Sequence, residues 1–261
     1  LLIRRRDAGV VEMGHGVRDA GGPSDASPPP GPSVGVVLPA GGSGSRMAEA
    51  GAPPKQFRRL GGAPVLVQTL RAFHRHPAVD VAVVVVPVGE EAATRALLAE
   101  YGAEADVVTG GPSRQASVAH GVRALPPAVR TVLVHDAVRP FVSQAVIASV
   151  LQAVLAHGAA AAALPVADTL RQGGRGPLFG TTVPREGLWA MQTPQGARRD
   201  WLVRAAANAA GHLATDEVGL LQHAGHPVWI VEGDARNTKL TRPSDWKLAE
   251  ALWPDWAASE E

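Results

Sequence analysis

From residue 34 onward the chain alternates short apolar runs with longer amphipathic stretches, and no other feature constrains the fold as much. The runs at 34–38, 79–86, 105–109, 131–134, 159–166 and 228–231 read as strands, several of them apolar on both faces, as strands buried between two layers must be. The stretches at 64–75, 90–101, 113–124, 143–157, 199–210, 216–224 and 244–252 read as helices. Strand alternating with helix predicts an α/β fold, a mostly parallel twisted sheet with helices on both faces. Ligands in such sheets sit outside the carboxyl ends of the strands, so chemistry is to be sought in the loop after each strand.

Residues 17–33 lack the apolar side chains that could offset the entropy of ordering a backbone, and Pro28, Pro29 and Pro30 block helix and inner strand alike. Residues 1–33 therefore read as a disordered extension or linker, and 34–261 as the working domain. Arg4, Arg5 and Arg6 are not followed by an apolar signal core, and no apolar run reaches the ~18 residues that span a bilayer. The absence of cysteine excludes disulfides, cysteine-zinc sites, iron-sulfur ligation and thiol nucleophiles. A soluble, cytoplasmic protein without membrane partners is expected. Lys plus Arg number 25 against 24 Asp plus Glu, and there is one Tyr, so neither a basic field nor an aromatic platform favours nucleic acid. Any anion site must be local.

The loops after the strands supply one. After the first strand comes Pro39-Ala40-Gly41-Gly42-Ser43-Gly44-Ser45-Arg46-Met47, and then Pro54-Lys55-Gln56. Glycines let backbone N–H groups approach a polyphosphate, and Arg46 and Lys55 bring positive charge; the turn alone could equally be a tight strand-to-helix connection. Gly110-Gly111 leads through Ser113, a good helix cap, to Arg114 and Ser117 on the first helical turn. His135-Asp136-Ala137-Val138-Arg139 ends the fourth strand, where Asp136 would suit Mg²⁺ facing phosphates, or else form a structural ion pair with Arg139. Asp168-Thr169 opens a Gly-rich, hairpin-like excursion that ends at Thr182-Val183-Pro184-Arg185, followed by Gln192-Thr193-Pro194-Gln195. Asn237-Thr238-Lys239-Leu240-Thr241 comes after the last long strand. Only three of the basic residues are lysines, Lys55, Lys239 and Lys247, in a chain otherwise committed to arginine; each is either a random surface survivor or a place where a compact ammonium is preferred to a planar guanidinium. Trp246, Trp253 and Trp256 cluster where a terminal helix can dock on the sheet.

In order, Pro-Ala-Gly-Gly-x-Gly-x-Arg-Met, Pro-Lys-Gln, Gly-Gly-x-x-Arg-x-x-Ser-Val, His-Asp-Ala-x-Arg-Pro, Pro-Val-x-Asp-Thr, Gln-Thr-Pro-Gln, Thr-Asp-Glu and Asn-x-Lys-Leu-Thr make the chain resemble the 2-C-methyl-D-erythritol 4-phosphate cytidylyltransferases of non-mevalonate isoprenoid biosynthesis, from about Val34 to Trp253. The resemblance implies a Rossmann-like nucleotidyltransferase with a protruding β-arm, using CTP as co-substrate and Mg²⁺ or another divalent cation. It implies Arg46, Lys55 and Lys239 as catalytic cations, and Pro39, Ala40, Gly41, Gly42, Gly44, Gly111 and Ser117 around the nucleotide. Asp136, Arg139, Thr169, Arg185 and Thr193 would meet the substrate, with Asp136 also on the metal. No protein base is needed, because the attacking phosphate is already anionic. The family forms homodimers whose arms, here about 167–186, complete each other's sites. Rivals are a cytidylyltransferase for a pentitol phosphate such as ribitol 5-phosphate, and a regulatory module that kept the fold without the chemistry; the latter would be expected to lose Arg46, Lys55 or Asp136.

Overall fold

The computed structural model describes residues 33–41, 53–209 and 211–260. The expected extension, apart from Ser33, and the residues Gly42, Gly44 and Arg46 lie outside the described residues. Among the described residues seven strands form one sheet, in the order β11-β7-β10-β6-β1-β4-β5. They are β1 (Ser33–Pro39), β4 (Val81–Val86), β5 (Asp106–Thr109), β6 (Val129–Val134), β7 (Ala159–Pro165), β10 (Trp189–Arg198) and β11 (Trp229–Glu232). Two small hairpins stand apart from it, β2 (Arg59–Leu60) with β3 (Ala63–Pro64), and β8 (Leu170–Gly173) with β9 (Phe179–Val183).

All six expected strands and all seven expected helices are present, with ends shifted by a few residues. The last helix differs most: it runs through Pro254 to give Pro243–Glu260 instead of ending near 252. The apolar pattern does not reveal β10. It lies antiparallel between β6 and β7, with Gln195 opposite Val134 on one side and Ala161 on the other. A proline inside a central strand argues against strand, and here the pairing with β7 shifts register between Met191 and Gln195, the stretch that holds the cis Thr193–Pro194 bond.

One face of the sheet is covered by α1 (Val65–His74), α2 (Glu91–Glu100) and α4 (Gln144–His157), which bury Leu66, Phe73, Leu98 and Ile147 against Val36, Leu38 and Val84. The other is covered by α3 (Arg114–Ala124), α5 (Arg199–Asn208) and α6 (Glu217–His223), with Val118, Leu202 and Leu220 against Val37, Val85 and Val134. Alternate residues of β1 thus feed opposite layers, as a two-sided core requires. At Gly121 a Cβ would come within 2.5 Å of Val37 Cγ1, so glycine is what lets α3 lie this close to the sheet and sets where its first turn points. A third apolar cluster joins α7 (Pro243–Glu260) to the β2–β3 hairpin through Leu60, Phe141, Leu240, Trp246 and Trp256, in agreement with the docked helix expected from the tryptophan spacing. β1 leads by way of β4 to β5 on one side, and the chain then crosses back to β6 on the other. The loops after β1 and β6 therefore flank the point where the strand order reverses.

Candidate active site

At that point β1 leads into Ala40 and β6 into His135-Asp136. Asp136 is buried, and three cations converge on its carboxylate: Lys239 Nζ lies 3.0 Å from Oδ2, Arg139 Nε 3.3 Å from Oδ2, and an Arg114 terminal nitrogen 3.7 Å from Oδ1. They come from the loop after β11, the turn after β6 and the first turn of α3. Burial alone would raise the carboxyl's pKa, but the charges of Lys239, Arg114 and Arg139 outweigh it and hold the group well below the usual carboxylate range.

The ion pair expected between the acid and Arg139 exists and is itself part of a larger charged cluster. Arg139 also donates to the carbonyl oxygen of Asn237 at 2.7 Å. Largely buried, it ties the turn after β6 to the Lys239 loop. Thr193 is held at the same strand end. Its buried hydroxyl accepts the Asp136 N–H at 3.1 Å and lies 2.9 Å from His135 Nδ1. His135 Nε2 must carry hydrogen to donate to the Arg139 carbonyl oxygen at 3.0 Å, so in the neutral ring Nδ1 accepts the Thr193 hydroxyl. Burial lowers the His135 pKa to about 4.

This predicts an acid sensitivity with a defined window. An ordinary histidine titrates near 6.5, so between about pH 6.5 and 4 the unfolded chain binds the proton that the folded chain refuses. The contribution of this site is whole above 6.5 and falls by about 3 kcal/mol towards pH 4. Asp136, with its lowered pKa, adds its own loss only at lower pH. Urea midpoints measured from pH 7 to pH 4 should fall, and His135→Asn should flatten the slope; an unaltered slope would assign the sensitivity to other groups.

Arg114, which the helix pattern marks only as a capped surface arginine, forms a two-pronged contact with Glu217 at 2.8 and 3.0 Å. Burial pushes Glu217 up in pKa, and Arg114 opposes that shift. Gln195 fixes this acid by accepting the Glu217 N–H at 2.9 Å while donating to Asp216 Oδ2, and Asp216 in turn caps α6 through Gly219 N. Gln195, Asp216 and Glu217, from the motifs Gln-Thr-Pro-Gln and Thr-Asp-Glu and without a role assigned from sequence, thus hold Arg114 in place. Lys239, Arg114 and Arg139 share the carboxylates of Asp136 and Glu217, with Asp216 close by.

The nucleotide-side residues are tied into the loops that carry them. The Ala40 N–H is spent on the Val85 carbonyl at 2.7 Å, and its own carbonyl accepts from Gln56 at 2.8 Å, which ties Pro54-Lys55-Gln56 to the end of β1. Pro39 closes the strand, and Gly41 beside it is exposed. Ser117 Oγ accepts the Gly111 N–H at 3.1 Å and donates to the Ser113 carbonyl at 2.8 Å. The Ala40 N–H, the Gly111 N–H and Ser117 thus shape the loops that the resemblance places around the nucleotide. Lys55 is half-buried in a 3-10 turn, Lys55–Phe57. Thr169 and Arg185 stand apart on the exposed arm, where Arg185 donates to the Ala167 carbonyl. Among the described residues, no helix is long and apolar enough to cross a membrane.

A family model described as 2-C-methyl-D-erythritol 4-phosphate cytidylyltransferase matches residues 34–254. A protein of that name from Salinibacter ruber is 51% identical over 230 residues, covering 87% of this chain and 95% of the relative. One from Deinococcus radiodurans is 44% identical over 223 residues, covering 85% and 90%. The crystal structure of the protein of that name from Thermus thermophilus superposes with a TM-score of 0.72 at 40% identity, covering 84% of this chain and 98% of that one.

Proposed function

The chain belongs to the 2-C-methyl-D-erythritol 4-phosphate cytidylyltransferase family, and from that premise we propose that it transfers the cytidylyl group of CTP to 2-C-methyl-D-erythritol 4-phosphate, releasing pyrophosphate, at the charged cluster around Asp136. The observation that carries this reading is the convergence of Lys239, Arg114 and Arg139 on one carboxylate at the switch point of the sheet. A substrate phosphate oxygen forms a bond to the α-phosphorus as the bond from that phosphorus to the bridging oxygen of pyrophosphate breaks. Negative charge builds on the transferred group and on the leaving group. Lys239, with Lys55 and Arg46 beside the glycine loop, is assigned to that charge, where preorganised cations do most for a phosphoryl transfer. Gly41 and the glycines after it supply the close approach to the triphosphate.

Among the described residues no three His, Asp or Glu side chains gather into a metal cage. The single carboxylate of Asp136 suits Mg²⁺ arriving as the counter-ion of CTP, held mainly by phosphate oxygens and water. Bound there, the ion would neutralise charge on the triphosphate.

The arm is assigned to a homodimer. β8 and β9 are exposed over most of their length, and Leu178 and Phe179 are 68% and 83% exposed, which suits a surface that a second copy covers by symmetry. In this assignment Thr169 and Arg185 reach the partner's substrate phosphate. Mixing Arg185→Ala with Lys239→Ala subunits tests it, since each homodimer lacks one residue in every site while a heterodimer has one site with both. Recovery of up to about half the activity per heterodimer is expected if the sites are independent; no recovery in a mixture shown to exchange subunits would place Arg185 in its own subunit's site. The transfer itself is tested by pyrophosphate release with the four ribonucleoside triphosphates, where turnover with CTP alone is expected and equal use of UTP would contradict the reading.

A further inference from the structure

The two lysines assigned to the phosphates come from segments far apart in sequence, and both segments rest on the carboxyl-terminal helix. Leu240, next to Lys239, is fully buried in the cluster formed with Trp246 and Trp256, and its N–H donates to the Val138 carbonyl in the turn after Asp136 at 3.0 Å. Asp245, on the first turn of α7, accepts the N–H groups of Thr241 and Arg242, each at 2.8 Å, and the Thr241 hydroxyl at 2.9 Å. Arg236, at the start of the same loop, lies over the Trp256 ring at 4.9 Å.

The same helix also holds the segment that carries Lys55. Arg58, three residues on, lies over the Trp246 ring at 4.4 Å, and Leu60 is buried in the same apolar cluster. The β2–β3 turn closes against Trp253: a Cβ on Gly61, whose φ is +58°, would fall 1.7 Å from the indole nitrogen. Phe141, from the strand-end segment that bears Asp136, meets the rings of Trp253 and Trp256 at 5.9 and 5.6 Å. Three site segments therefore share one apolar foundation, although α7 itself supplies no group to the charged cluster.

We propose that α7 is a positioning element which, through Trp246, Trp253, Trp256 and Asp245, sets the distance between Lys55 and Lys239 across the reacting phosphates. The inference rests on the assignment of those lysines to the phosphates. Its physical basis is that a cation displaced by about 1 Å loses most of its advantage in the transition state while still attracting a bound anion, so the loss appears in kcat and little in KM. Trp256→Ala should lower kcat about tenfold or more with KM for CTP changed less than about threefold, and Trp256→Phe, which keeps a ring in the same place, should restore most of it.

Asp245→Ala leaves the apolar cluster intact and keeps the test open if Trp256→Ala does not fold; it should show the same split, more weakly. Lys247→Ala, on the exposed face of the same helix, should be silent. The decisive readout is a cycle with Lys239→Ala. If α7 acts by placing Lys239 relative to Lys55, Trp256→Ala or Asp245→Ala should cost far less kcat once Lys239 is gone. Full additivity, or a folded α7 variant with normal kcat, would overturn the proposal. A Lys239→Ala enzyme with normal kcat would instead overturn the assignment of the lysine on which the proposal rests, so the two failures are distinguishable.

Discussion

Replacing Lys239 by alanine is expected to lower kcat by about two to three orders of magnitude while leaving the fold and most of the CTP affinity in place. The side chain is 40% exposed and belongs to no apolar cluster, so its removal leaves no cavity. Its ammonium is held 3.0 Å from Asp136, which orders it before substrate arrives, and order acquired in advance is what makes a cation worth more in a transition state than in water. Arginine at this position should not rescue, because a planar fork cannot take the place of a point charge held by one carboxylate oxygen. Saturating steady-state kinetics with pyrophosphate release decides the matter: near-normal kcat in the alanine variant would remove Lys239 from the reaction.

Asp136→Asn is expected to be nearly as damaging, for two separable reasons. The amide leaves Lys239, Arg114 and Arg139 facing one another without their shared counter-charge, and breaking a buried charge group costs about 3–5 kcal/mol of stability. It also removes the anionic ligand that a hard cation needs. Activity should fall by about a hundredfold or more at ordinary Mg²⁺, and the Mg²⁺ concentration needed for half-maximal rate should rise sharply. An unchanged Mg²⁺ titration beside a lowered melting temperature would make Asp136 purely the organiser of its three cations.

The sheet and its helices are legible in the sequence because burial on both sides of a strand leaves an unbroken apolar run, as in the valines of β4, and because Ser113 announces a helix start that its side chain does cap. β10 is hidden for the opposite reason. Gln192, Thr193 and Gln195 are among its most buried residues and they are polar, made tolerable by partners distant in sequence: the Asp234 backbone, His135, and the N–H of Glu217. No local pattern reveals such pairings. The same limit explains Arg114, whose position on a first helical turn is readable but whose partners, Glu217 and Asp136, come from other elements. Residue types at strand ends locate Asp136 and Lys239. They do not show that Thr193, Arg139 and Ser117 also hydrogen-bond to the segments around them.

The substrate assignment distinguishes this account from its nearest rival, a pentitol phosphate enzyme built on the same nucleotide half. Initial rates of CTP-dependent pyrophosphate release should be measured side by side on 2-C-methyl-D-erythritol 4-phosphate and ribitol 5-phosphate. The account predicts that kcat/KM for the methylerythritol phosphate is larger by about a hundredfold or more, the scale of discrimination a polar substrate pocket reaches when hydroxyls are misplaced. Equal rates, or a preference for ribitol 5-phosphate, would contradict it.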